Sequence, residues 1–241
     1  MPVDDEDLRS SLRALASRRE LTQSGVVTAL EEVTTACVDL FGVSGSGIMV
    51  ADEQNITEYV AASDGPGRFL EQAESRTGQG VCTQAFVDNR VVESTDVCRD
   101  PRWPEFRAMM AGRGIHAVLG VPVRLGAIPV GTLDVYRDRE HEWDDSERRA
   151  LVRYSDVVST TLAAALRAHT AGKLAGQLEY ALDYRVIIER AVGFLMARDQ
   201  VDAVVAFNRL RRAARNNRTK IGAVAEQLLT TGRLEGGPAD R

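Results

Sequence analysis

The stretch FNRLRRAARNNRTK, residues 207–220, carries six basic side chains and no acidic one, in a chain whose 30 Lys+Arg are outnumbered by 35 Asp+Glu. Arg209, Arg211, Arg212, Arg215, Arg218 and Lys220 supply the charge, with Asn216 and Asn217 between them. A guanidinium presents a planar fork of donors that matches phosphate oxygens, and an asparagine amide pairs with base edges. The chemistry these residues suit is the binding of a nucleic acid, not the making of bonds. A merely solvated helix face mixes signs, whereas no acid stands between Ala203 and Ala225.

Other reactive groups are sparse. Cys37, Cys82 and Cys98 form no CxxC pair and no even framework, which argues against structural disulfides and a zinc knuckle and leaves buried or idle thiols. No HExxH, GxSxG or Gly-rich phosphate loop occurs, and GPG at 65–67 and GQG at 78–80 read as turns. Carboxylates are abundant but nothing fixes a catalytic pair. No catalytic residue, metal ligand set or cofactor is therefore expected, and the protein is read as a non-enzyme. His116 reads as a satisfied structural histidine of a strand-rich region.

The elements that must hold the basic stretch emerge from apolar spacing. Between 203 and 216, Ala203, Ala206, Phe207, Leu210 and Ala214 fall on one side of a helical wheel. Arg209, Arg212, Arg215, Asn208 and Asn216 fall on the other, with Arg211 at the flank. Asn216 and Asn217 suit the helix end, and Arg218, Thr219 and Lys220 the following turn. Ile221, Val224, Ala225 and Leu228 then form the next stripe, so that with the preceding helix three helices make a small bundle.

Charge divides the chain. Residues 169–241 hold 12 Lys+Arg against 8 Asp+Glu, net +4, and residues 1–168 hold 18 against 27, net -9. An acidic front joined to a basic back implies two modules with different partners. The front reads as α+β. SGVVTALEEVTTACVDLFG places Val26, Val27, Leu30, Val33, Cys37 and Leu40 along one helical stripe ended by Gly42. GSGIMVAD and ITEYVAAS read as a hairpin, GVCTQAFVDN as a short helix, RVVES as a strand and DPRWPEF as a proline-punctuated loop. HAVLGVPVRL and AIPVGTLDVYR form a second hairpin around Gly126, with Pro129 expected near an edge.

From Asp144 the pattern is helical for tens of residues. Leu151, Ser155, Val158, Leu162 and Ala165 follow 4-3 spacing, and Leu174, Leu178, Ala181, Arg185, Ile188, Val192 and Leu195 repeat it. Such a seam predicts a long coiled-coil helix pairing two chains in a homodimer; a helix packed on its own domain is the alternative. MPVDDEDLRS has no apolar h-region, and no apolar run approaches the roughly 20 residues that cross a bilayer, so a cytoplasmic protein without membrane contact is expected.

The order of elements in the front, closing on VLGVPVRLGAIPVGTLDVY, resembles a GAF domain over about residues 22–168. That resemblance implies an antiparallel sheet flanked by helices, and an unknown small molecule held between the sheet and the intervening helices and loops. Met49, Tyr59, Trp103, Phe106 and His116 are the candidate pocket residues. The family's cyclic-nucleotide signature needs a lysine, and residues 1–168 contain none. A bilin site would want a Cys beside a His, yet Cys98 is followed by RDPRW, and haem would leave only His116 as axial ligand.

The back, YALDYRVIIERAVGFLMARDQVDAVVAFNRLRRAARNNRTKIGAVAEQLL, resembles an ANTAR domain, the RNA-binding output module of bacterial transcription antiterminators. Ala181, Leu182, Arg185, Ile188, Ala191, Gly193, Leu195, Met196, Ala206, Phe207, Leu210, Arg211, Ala214, Val224 and Ala225 carry the match. The family usually has Ala-Lys-Gly where this chain has Ala191-Val192-Gly193.

The expected organisation is a helical or flexible segment at 1–21, a GAF-like sensor at 22–168, a coiled-coil connector with an ANTAR-like three-helix domain at 169–230, and a flexible tail at 231–241. Its expected function is transcription antitermination, with leader-transcript hairpins as partner. Arg209, Arg211, Arg212, Arg215, Arg218 and Lys220 would meet phosphates or loop bases, and Asn216 or Asn217 a base edge. Arg185 either holds the bundle or reaches RNA. A dimerising signal-relay protein and a ligand-responsive DNA-binding regulator are the alternatives.

Overall fold

The computed structural model describes residues 3–21, 25–51, 57–63, 65–167 and 173–234. Nearly every front element has the hydrophobic spacing of its type. In α2 (Val26–Phe41), which follows α1 (Asp5–Leu21), the buried positions Leu30, Val33, Thr34, Cys37 and Phe41 recur every three or four residues. Gly42 ends α2 with φ 55°, a conformation that glycine adopts without strain. The strands β1 (Gly45–Ala51) and β2 (Thr57–Ala62) pair as the first hairpin. After α3 (Gly65–Thr77), α4 (Val81–Asp88), β3 (Val92–Ser94) and α5 (Pro104–Met110), β4 (Val118–Leu125) and β5 (Ile128–Tyr136) form the second.

All pairings are antiparallel, in the order β2-β1-β5-β4-β3. Because side chains alternate along a strand, Leu119, Val121, Leu133 and Val135 reach one face and Val118 and Tyr136 the other. The first face is covered by α2 and α6 (Asp145–Arg167), with Leu8 and Leu15 of α1 in the same core. The second is covered by α3, α4 and α5 through Leu70, Ala73, Val81, Ala85 and Phe106. The C-terminal bundle consists of α7 (Lys173–Asp199), α8 (Ala203–Asn217) and α9 (Ile221–Thr231).

Several local expectations are corrected. DPRWPEF is not all loop: Pro104 opens α5, since the first turn of a helix needs no N–H from its first residue. GPG at 65–67 likewise opens α3 instead of forming a separate turn. Pro129 lies on β5 in the middle of the sheet, opposite Arg124 at the bulge beside the hairpin turn, beyond the residues that β1 pairs. The expected long helix is not among these corrections: it is described on either side as α6 and α7, and residues 168–172 between them lie outside the described residues.

The 4-3 seam is occupied within the chain. Leu151, Val158 and Leu162 are fully buried in the sensor core, and Leu178 and Ala181 at the start of α7 join them there. Farther along, Ile188 and Leu195 belong to the core of the C-terminal bundle, and Val192 packs against it. These side chains pack within the chain, on the sensor core or in the bundle, so the seam by itself requires no second chain. The side chains of Tyr59 and Leu174 and the tail 235–241 lie outside the described residues.

Candidate nucleic-acid interface

The helix carrying the basic stretch is fixed at both ends. Asp202 caps α8 by accepting the Val205 N–H at 2.8 Å. Arg218 closes it in the left-handed conformation, φ 51°, while Thr219 N donates to Ala214 O at 3.0 Å. Between these caps Ala206, Phe207, Leu210, Ala213 and Ala214 are buried against α7 and α9. The α8–α9 turn rests on Tyr180, whose hydroxyl accepts the Gly222 N–H at 2.8 Å and whose ring stacks on Tyr184 with centroids 4.4 Å apart. A Cβ at Gly222 would stand 2.6 Å from the Tyr180 hydroxyl oxygen, so only glycine fits that approach. Lys220 Nζ lies 4.9 Å from the centre of the Tyr180 ring.

Arg212, Arg215, Asn216, Asn217, Arg218 and Lys220 are exposed, and they occupy the C-terminal half of α8 and the turn after it. The remaining three candidates are engaged inside the chain. Arg209 forms an ion pair with Asp199, whose carboxyl is held below its ordinary range first by a hydrogen bond from Arg198 and further by Arg209. Arg185 is 7% exposed, pairs with Glu189 at 2.7 Å and lies over the Phe86 ring at 5.4 Å. Arg211 is buried and its Nη2 donates to Ser75 O at 2.8 Å.

Arg211 belongs to a seat between the bundle and the sensor. Asn208 Nδ2 donates to Gly78 O at 2.7 Å, and Arg215 Nη2 reaches Ser75 O at 3.3 Å. Phe86 of α4 meets Phe207 edge to face, centroids 6.1 Å apart. Gly78, with φ 68°, lies so close to Asn208 that an added Cβ would overlap the amide. Beside the seat a cleft of about 390 Å³ is lined on the sensor side by Gln79, Gln84 and Trp103, and on the bundle side by Val204 and Asn208. No local sequence signal marks these partners, because each joins residues more than a hundred positions apart.

The four sensor candidates whose side chains are described, Met49, Trp103, Phe106 and His116, do not converge on one cavity. Trp103 and Phe106 are buried together, edge to face at 6.4 Å, among the packing residues of α3–α5. Met49 is fully buried on β1. His116 stands just before β4, outside the sheet interior, with its Nδ1 3.1 Å from Asp96 Oδ1. Between α3 and the sheet the interior is acidic instead: Glu71, Glu74 and Asp134 are all buried, and Glu71 packs against Gly47 too closely for any side chain there. Glu74 caps α4 by accepting Cys82 N at 3.0 Å and Thr83 N at 2.6 Å, yet burial pushes its carboxyl above the usual range. Burial also raises the Cys37 and Cys82 thiols well beyond their ordinary value, so both stay protonated and unreactive.

Two family models match the chain, that of the GAF domain over residues 26–162 and that of the ANTAR domain over residues 176–229. Among solved structures, the GAF domain of a phosphoenolpyruvate-protein phosphotransferase from Coxiella burnetii is similar at 16% identity and a TM-score of 0.55, over 69% of this chain and 98% of that one. Free methionine-R-sulfoxide reductase from Neisseria meningitidis, in complex with its substrate, is similar at 17% identity and a TM-score of 0.55, over 68% of this chain and 95% of that one. At such identities the likeness concerns the fold. No curated relative matches the chain. Among the described residues, no helix is long and apolar enough to cross a membrane.

Proposed function

Since the chain belongs to the GAF domain family and carries an ANTAR domain behind its GAF domain, we propose that it is a transcription antitermination regulator of the cytoplasm. Its sensor takes up a small molecule, and its C-terminal bundle binds hairpins in a leader transcript. The support is the exposed row Arg212, Arg215, Arg218 and Lys220, with Asn216 and Asn217, on a helix whose opposite face is buried and on the turn that follows it. Cations on a rigid helix meet phosphates at low entropic cost, and the two amides at its end can pair with unstacked bases. Hairpin RNA suits this arrangement because its loop bases are open, whereas the deep groove of its stem admits no side chain.

The seat couples sensor to output. Ser75 and Gly78 stand at the end of α3, while Glu71 and Glu74 of the same helix face the sheet interior. A ligand that displaces α3 therefore moves the carbonyls that hold Asn208 and Arg211. A homodimer, expected from the 4-3 spacing, needs other surfaces; α7 exposes Val186, Phe194 and Met196.

A mobility-shift assay with a leader hairpin, a scrambled hairpin and duplex DNA tests the function. Preference for the matched hairpin supports it. Equal binding of all three reduces the basic face to non-specific attraction, and preference for the duplex favours a DNA-binding regulator.

A further inference from the structure

A second cluster lies away from the bundle, where the β3–α5 loop meets the residue ahead of β4. Asp96 and Cys98 come from the loop and His116 from the other segment, and the backbone joins the two: Val97 N donates to His116 O at 2.8 Å. His116 N donates in turn to Arg137 O at 2.9 Å, so the histidine is held between neighbouring segments. Asp96 Oδ1 accepts from Cys98 N at 3.0 Å and lies 3.1 Å from His116 Nδ1. One ligand atom from each of Asp96, Cys98 and His116 falls within 4.8 Å of the others.

We infer that these three side chains form a binding site for a zinc-like divalent transition ion. An imidazole nitrogen, a sulfur and a carboxylate oxygen are the donors a borderline ion prefers, while magnesium and calcium take oxygens. Metal–ligand bonds of about 2.0–2.3 Å place tetrahedral ligands about 3.3–3.8 Å apart. The Asp96–His116 pair is already near that spacing, and Cys98 closes the site by rotating its thiol.

At present Cys98 Sγ lies 3.5 Å from Ile115 O and 3.7 Å from Met110 O, weak contacts that an ion easily replaces. On binding, the Cys98 S–H bond breaks, its electron pair forms the bond to the ion, and the proton leaves to solvent. Water fills the fourth position, because the His116 side chain is 37% exposed. Arg99, 3.5 Å from Asp96 Oδ2 and largely exposed, swings away as the ion takes over that charge.

A nucleophilic Cys-His-Asp arrangement is a poorer fit. The thiol turns toward the Ile115 and Met110 carbonyls, at 3.5 Å and 3.7 Å, and not toward a base. The cluster escapes a search for local ligand spacing because Asp96 and His116 are 20 residues apart.

Cobalt(II) titration of the full-length, metal-stripped protein tests the site. Binding is expected at one ion per chain, with a thiolate-to-cobalt charge-transfer band in the near ultraviolet and the strong visible bands of a tetrahedral ion. Zinc should displace cobalt and magnesium should not. Cys98→Ser should abolish the charge-transfer band, and His116→Ala should weaken binding by tenfold or more. His116 is partly exposed, so the second variant remains informative if the first misfolds. No saturable band in the parent protein, or a band that survives Cys98→Ser with unchanged affinity, overturns the assignment.

Discussion

Salt dependence gives the sharpest test of the basic face. Arg212, Arg215, Arg218 and Lys220 are exposed cations, with Arg215 also reaching the Ser75 carbonyl and Lys220 the Tyr180 ring, whereas Arg185, Arg209 and Arg211 are less exposed. Each phosphate neutralised in a single-stranded target contributes a slope of about 0.7 in the logarithm of affinity against that of salt. Four contacts give about 2.8, so a fourfold rise in salt should weaken RNA binding by about fifty-fold. Replacing Arg212 and Arg215 by Ala should halve the slope, and the same rise should then cost about sevenfold. Both side chains point away from the buried face, so helicity should be unchanged. Lysine at the two positions should restore the slope but not the full affinity if the guanidinium clamps a phosphate with two donors. Fluorescence anisotropy across a salt series measures all three proteins. A slope that the double alanine variant leaves intact would refute the assignment of these residues.

Gly78→Ala forces a side chain against Asn208 at a left-handed position and should unseat the bundle, freeing Arg211. RNA affinity should rise by roughly tenfold, the worth of one charge-assisted hydrogen bond of about 1.5 kcal/mol; unchanged affinity in a folded variant would show that the seat does not restrain binding. Phe207→Ala removes a ring that is 3% exposed and should cost about 3–5 kcal/mol, seen as a lower thermal midpoint of the whole chain. Leu162→Asp and Leu178→Asp each place a charge in the sensor core and should lower the melting temperature sharply. A loss of dimer with melting unchanged, measured by sedimentation alongside calorimetry, would instead support the coiled-coil reading of the 4-3 seam.

The sequence discloses what local periodicity controls. The α8 stripe identifies Ala206, Phe207, Leu210 and Ala214 as buried because helical spacing alone puts them on one side. The two hairpins show equally clearly, with Gly126 at the second turn. Reading fails where one pattern serves two structures. A 4-3 seam faces a second helix or the helix's own domain with the same residues; the sheet beside α6 buries Leu151, Val158 and Leu162, and the spacing by itself does not choose between the two. A proline cluster likewise reads as loop or as the first turn of α5, and only the helical run from Glu105 to Met110 settles the choice.

Charge is the least legible property, because the sequence shows its sign and not its partner. Arg209, Arg211 and Arg212 fall within four residues, yet one faces Asp199, one faces the Ser75 carbonyl and one faces solvent. Arg211, at the flank of the helical wheel, is buried because the Ser75 carbonyl receives its guanidinium. That acceptor lies at the end of α3, whose buried side carries Glu71 and Glu74 toward the sheet. One helix thus meets the sensor interior with its side chains and the output domain with its backbone, and rigid helices transmit displacement along their axis. A shift that repacks Glu71 against Gly47 must also move the Ser75 and Gly78 carbonyls, unless α3 breaks between them.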